Sequence, residues 1–245
     1  MKKHFYTFKL FNSILYLLKY LCTFFIIIII TSYLQLYFNL NDDNSFTICL
    51  ILSIFCFYIL LKLEKKSPVK YLNLKTFKFK YFYLIILLSL SIVLSDLIFL
   101  PILEKIFHIQ VPNNNGITFY SFLHIAFIAP IYEEILFRGI IFTKLKQNFP
   151  TIVAILLQAI IFGLFHGGLI LKLLSTTTGI ILGIIYNYTN NLTIVILVHS
   201  FLNIFLVILN LFAFDINPIF SIFLLLSIFV VFINKFKLLY NKKYS

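Results

Sequence analysis

The chain has 245 residues, 62% of them hydrophobic and only 11% charged, with a mean hydropathy of +1.04. A soluble domain of that length keeps far more charge to wet its surface, so the composition excludes a soluble protein. The formal net charge of +12 would suit nucleic acid in a soluble chain, but here the lysines lie in short clusters between apolar segments, which argues against a nucleic-acid partner and for anionic lipid headgroups of the bilayer.

A helix needs about 20 apolar residues to cross the hydrocarbon core. Eight segments of that kind are predicted, at residues 14–38, 46–63, 81–102, 117–143, 151–171, 173–189, 192–213 and 218–234. The first follows a basic N-terminus (Lys2, Lys3, Lys9, Lys19) but is too long for a secretory signal and has no small-residue cleavage site after it, so it reads as a retained span. Cys22, Cys49 and Cys56 fall in apolar stretches without metal spacing and read as packing residues. The loop after the second segment is strongly basic (Lys62, Lys65, Lys66, Lys70, Lys75, Lys78, Lys80), and its lysines alternate with Tyr71, Leu72, Leu74, Phe77 and Phe79. That alternation fits either an interfacial amphipathic segment or an ordinary basic loop. Lys144, Lys146 and the tail lysines 235, 237, 242 and 243 add further basic clusters, whereas the alternate loops are acidic or neutral. With eight spans every basic cluster falls on one side, Lys172 alone being discordant, which predicts a multi-pass protein of the cell membrane with both termini cytoplasmic. The expected fold is therefore an all-α transmembrane bundle forming a single domain over residues 1–245.

Ionisable groups deep in a membrane are costly and call for a reason. Asp96, Glu133 and Glu134 are the acids well inside predicted spans, and His124, His166 and His199 are the intramembrane histidines. Arg138 is the one arginine among 20 basic residues, which points to a need for a planar, permanently charged donor. Glu134 and Arg138 are four residues apart and stack on one helix face as an ion pair. Glu133 is rotated by about 100° and points elsewhere, free to act as a base. Pro130 lacks an N–H and should release a backbone carbonyl at that depth. Phe162 with His166, and His199 with Asn203, repeat the four-residue spacing on two further helices. His124 and Asp96 lie outside these pairs and are read as helix-bridging residues. Gly179 and Gly183 predict close helix packing, and the hydroxyls of residues 175–178 are expected to bond back to their own helix.

Glu133-Glu134-x-x-x-Arg138, Phe162-x-x-x-His166 and His199-x-x-x-Asn203, in that order on separate apolar helices, resemble the CPBP family, which comprises CAAX prenyl proteases and bacteriocin-processing (Abi) intramembrane proteases. The resemblance covers a catalytic core of about residues 117–210. It implies a glutamate-dependent endopeptidase with an eight-helix core, in which Glu133 is the base, His166 assists it in activating water, and His199 and Asn203 stabilise the oxyanion. Glu134, Arg138 and Phe162 would be supporting residues. The implied substrate is a peptide or membrane-tethered protein, in peptide or bacteriocin maturation or in self-immunity; CAAX substrates would rest on analogy alone. A metal-free site is the favoured expectation, with zinc left open because two histidines and carboxylates also suit metal, although no H-E-x-x-H helix is present. Two other classes stay in view: a non-catalytic immunity or regulatory partner on the same fold, and a proton-coupled transporter, which would predict an inverted repeat that the sequence does not show.

Overall fold

The computed structural model describes residues 2–79, 82–111, 118–212 and 222, with the backbone alone for residues 2–10. Among them the regular elements are all helices, with no strand. The helices are α1 (Lys2–Phe38), α2 (Asp42–Leu63), the short α3 (Pro68–Tyr71), α4 (Phe82–Phe107), α5 (residues 119–146), α6 (Thr151–Leu164), α7 (Leu169–Thr189) and α8 (Leu192–Leu211). Helices α1 (from Phe11), α2, α4, α7 and α8 are each long and apolar enough to cross a membrane, and α6 is shorter. The protein is thus an all-α polytopic membrane bundle. The eighth expected segment, at 218–234, and the basic tail lie outside the described residues, apart from residue 222.

Seven of the eight predicted segments meet an observed helix, with shifted ends. Helix α1 begins well before residue 14, and at about 1.5 Å per residue its 37 residues run about 55 Å, beyond the roughly 30 Å hydrocarbon core. Segment five ends early, at Leu164 instead of 171. The cause is the pair Gly167-Gly168: Gly168 takes φ +70°, a left-handed value open to glycine, and turns the chain into α7.

Polar contacts sort the loops onto two ends. At one end Lys19 and Lys66 pair with Glu64, Asn148 donates to Ser13 Oγ at 2.7 Å, and Lys146 donates to Asn187 at 2.6 Å. The Leu192 N–H bonds the carbonyl of Asn73 at 3.0 Å at the same end. Among the described residues this end brings together Lys19, Lys66, Lys144 and Lys146. The opposite end holds Gln35 on Asp42, Ser121 on Asp43, and Glu104 capping the Val111 N–H.

The segment after α2 carries the short α3 and is anchored to the bundle at Leu72. Leu72 is buried and faces Gly139 so closely that a Cβ there would lie 2.5 Å from its Cδ2. Phe79, in contrast, stands 79% exposed.

Helices α6 and α7 form an antiparallel hairpin packed through small residues, as the glycine spacing predicts. A Cβ on Gly179 would lie 3.1 Å from the Ala159 backbone, and one on Gly183 would lie 2.7 Å from Gln158 Nε2. Thr176 and Thr177 bond back to the carbonyls of Lys172 and Leu174. Helix α8 is tied to α4 by Ser89 Oγ, which donates to the Val198 carbonyl at 2.8 Å. His124 bridges helices as expected, with Nδ1 2.7 Å from Thr47 Oγ1. Asp96, expected to bond a neighbouring helix, makes no hydrogen bond to the described residues. The three cysteines are free thiols.

Candidate active site

Helix α5 departs from α-helical geometry twice, in π-helical stretches at His124–Ile128 and Ile135–Phe142. The first has a cause in the sequence. The Ala129 N–H bonds back to His124, five residues away, and in that register the carbonyl of Ile125 would need the N–H of residue 130. Residue 130 is proline, which has none. Asn203 on α8 supplies the missing donor, its Nδ2 lying 2.8 Å from the Ile125 oxygen. The freed carbonyl expected from Pro130 is therefore present and is used to dock α8. Replacing Asn203 by leucine is expected to destabilise the fold by about 1–3 kcal/mol, because a half-buried acceptor loses its donor. Adding Pro130→Ala restores an N–H nearby and should recover part of the loss. Apparent melting temperatures of the single and double variants check this.

Below Pro130, Glu133 and Glu134 divide as their 100° separation predicts. Glu134 and Arg138 are both fully buried, and Arg138 Nη1 donates to Glu134 Oε1 at 2.7 Å. The same oxygen lies 2.7 Å from His199 Nδ1. Arg138 Nη2 reaches the Gly179 carbonyl at 3.3 Å, and the guanidinium stacks over the Phe162 ring, 4.5 Å from its centroid. Glu133 takes no part in this pairing. Its side chain is 22% exposed, and its Oε2 lies 3.7 Å from His199 Nε2. His199 thus stands between the two carboxylates, one at each ring nitrogen.

This geometry fixes proton positions. A carboxylate only accepts, so with Glu134 ionised opposite Arg138, His199 Nδ1 carries a proton. His199 Nε2 then donates only as the imidazolium, and accepts in the neutral ring. His166 sits in the turn just past α6, not on the helix, yet stays beside Phe162: the rings lie 4.7 Å apart, and Nδ1 is 3.0 Å from the Phe162 carbonyl. A carbonyl also only accepts, so Nδ1 is the donor, and Nε2 of the neutral ring holds a lone pair. His166 is close enough to Glu133 for their charges to interact. Phe162 packs edge-on to both imidazoles, with His199 at 6.0 Å. Asn203 spends one N–H on Ile125, leaving the other N–H and its carbonyl oxygen uncommitted.

All seven residues singled out from the sequence therefore fall in one region, with Asn203 tied into it through the Ile125 carbonyl. Two contributors were not singled out. Gln158, fully buried on α6, donates to the Gly179 carbonyl at 2.8 Å, the same oxygen that Arg138 uses. It is the lone amide in an otherwise apolar helix and shares a face with Phe162, a signal that was available. Tyr132 is buried between Phe24 of α1 and Phe57 of α2, at ring distances of 5.0 and 6.0 Å, so the N-terminal helices do help build this wall. As to metal, no group of three His, Cys, Asp or Glu side chains is placed to hold an ion among the described residues.

Comparison with known proteins points the same way. Residues 115–205 match the family model described as "Type II CAAX prenyl endopeptidase Rce1-like". A curated protein of Bacillus subtilis (strain 168), named "Putative membrane peptidase YdiL", is 36% identical over 80 residues. That stretch spans about a third of this chain and a third of the relative. No solved structure matches. The matched region starts just before α5 and runs through Asn203, so it contains every ionisable group of the buried cluster. Over residues 115–205 the chain is thus similar to Type II CAAX prenyl endopeptidases, and over 80 residues to a membrane peptidase.

Proposed function

We propose that this protein is a glutamate-dependent intramembrane endopeptidase whose substrate is a peptide or a membrane-tethered protein. The observation that carries the reading is the pair of adjacent carboxylates on α5. One is locked to Arg138 and His199; the other pairs with no lysine or arginine among the described residues, is partly exposed, stands 3.7 Å from His199 Nε2, and is within electrostatic range of His166. A structural ion pair needs only the first of these. The second, beside two imidazoles, suits proton transfer.

In the proposed reaction a water molecule donates one O–H to Glu133 and the other to the lone pair of His166 Nε2. Its oxygen adds to the scissile carbonyl carbon as Glu133 takes the proton. The negative charge that develops on the carbonyl oxygen is met by His199 Nε2–H, in the imidazolium form, and by the remaining N–H of Asn203. Collapse of the tetrahedral adduct breaks the C–N bond, and Glu133 passes its proton to the leaving amine. Glu134 and Arg138 hold His199 in the required ring orientation. In the cell we place eight spans in the membrane, with the basic end cytoplasmic and the reaction serving peptide maturation or self-immunity.

The test is cleavage of candidate peptides by protein purified in detergent, comparing wild type with Glu133→Ala and His166→Ala. Cleavage by the wild type and its loss in both variants is expected. Equal cleavage by all three would sink the mechanism. A self-immunity phenotype that survives both substitutions would favour a non-catalytic partner instead.

A further inference from the structure

A second cluster of charge lies at the basic end, away from the carboxylates of α5. Three ammonium groups converge on one aromatic ring: the Nζ atoms of Lys66, Lys19 and Lys144 lie 4.6, 4.9 and 5.0 Å from the centroid of Tyr16. They arrive from three places in the chain: Lys19 from α1, Lys66 from the turn after α2, and Lys144 from the last turn of α5. One carboxylate answers them. Glu64 takes Lys19 on Oε1 and Lys66 on Oε2, the latter at 2.6 Å, and the Tyr20 hydroxyl donates to Oε1 at 3.1 Å. Lys144 has no carboxylate partner among the described residues. Three positive charges against one negative leave an excess of two in a partly buried pocket, where the lysine side chains on Glu64 are only 37% and 31% exposed.

Like charges held this close repel, and less screening reaches them than at an open surface. The repulsion registers on Lys144, which burial and the neighbouring Lys66 charge hold below the ordinary lysine value. The tyrosine faces attract the ammonium groups but carry no net charge, so they do not neutralise the excess. Two hydroxyls complete the wall: Tyr16 accepts from Lys66 at 2.9 Å and lies 3.0 Å from the Tyr71 hydroxyl.

The cluster also sits at a suitable depth. From Lys19 to the end of α1 at Phe38 the helix rises about 28 Å, close to the thickness of the roughly 30 Å hydrocarbon core. With Phe38 at one interface, Lys19 lies at the headgroup level of the other.

We propose that Lys19, Lys66 and Lys144, with the hydroxyls of Tyr16 and Tyr71, bind one phosphate-class anion at the basic end, supplied by an anionic lipid headgroup or by free phosphate. Lys144 is the informative position, because its removal breaks no ion pair. Without an anion, Lys144→Gln relieves repulsion, so the variant should melt at or above the wild-type temperature. With an anion bound, the order reverses.

The experiment measures the apparent melting temperature of the full chain in a maltoside detergent. The additions are phosphatidylglycerol, phosphatidylcholine or inorganic phosphate. Phosphatidylglycerol near saturation should raise the wild type by about 5 °C and leave Lys144→Gln unmoved. Lys75→Gln, which removes a lysine outside the cluster, should keep the full rise. An equal rise with inorganic phosphate identifies a small anion as the ligand, and a rise with phosphatidylglycerol alone identifies a lipid. No rise with either anion overturns the proposal, as does an equal rise with phosphatidylcholine or a rise that Lys144→Gln retains. The readout involves no cleavage, so its outcome is independent of the proposed protease activity.

Discussion

Arg138→Ala is expected to cost about 3–5 kcal/mol, a large share of the roughly 5–15 kcal/mol that holds a typical domain folded. The size follows from what is left behind. Glu134 is fully buried, and without Arg138 its charge has only the His199 Nδ1–H for a partner. Phe162 loses the guanidinium stacked on its face, and a large buried side chain leaves a void beside it. An exposed ion pair would cost far less, on the order of 0–1 kcal/mol. Arg138→Lys should recover part of the loss, since a single ammonium reaches either Glu134 or the Gly179 carbonyl but not both in the same geometry. The double variant Glu134→Gln with Arg138→Met removes the stranded charge and should be more stable than Arg138→Ala. Apparent melting temperatures in detergent, with the folded fraction read by size exclusion, check the order of all three.

The neighbouring carboxylate should behave in the opposite way. Glu133→Gln leaves the fold nearly unchanged, because Glu133 is partly exposed and its nearest charged neighbour, His199 Nε2, stands off at 3.7 Å. Catalysis is where the loss falls. A positioned general base contributes roughly 10²–10⁴ to a rate, and the carboxamide cannot take a proton from water. Glu134→Gln separates the two roles: it should lower stability, since it strands the Arg138 charge in a buried site. Two residues adjacent in sequence would then split cleanly between folding and chemistry.

Much of this site was legible because the membrane makes polar residues scarce. In a chain with so few buried charges, the four-residue spacing of Glu134 and Arg138 already implied their ion pair, and Pro130 already implied a free carbonyl nearby. What sequence could not supply was the partner across helices. The spans are apolar nearly all round, since both lipid and protein neighbours favour apolar side chains, so no polar stripe sets their rotation. That His199 would bridge Glu134 and Glu133, and that Asn203 would take the Ile125 carbonyl, depend on that rotation. The four-residue spacing predicts His166 on the helix of Phe162, whereas Gly167-Gly168 end α6 two residues before it. The burial of Leu72 against Gly139 and the gathering of lysines about Tyr16 likewise join segments distant in sequence, and only the packed bundle reveals them.

The central claim is that Glu133 activates the water that cleaves the substrate, while Glu134 and Arg138 only hold the site together. The most direct test is the single-turnover cleavage rate of Glu133→Gln against wild type in reconstituted vesicles, normalised to folded protein. The account predicts a rate lower by about 10²–10⁴ with an unchanged melting temperature. A rate within a few-fold of wild type for folded Glu133→Gln would contradict it.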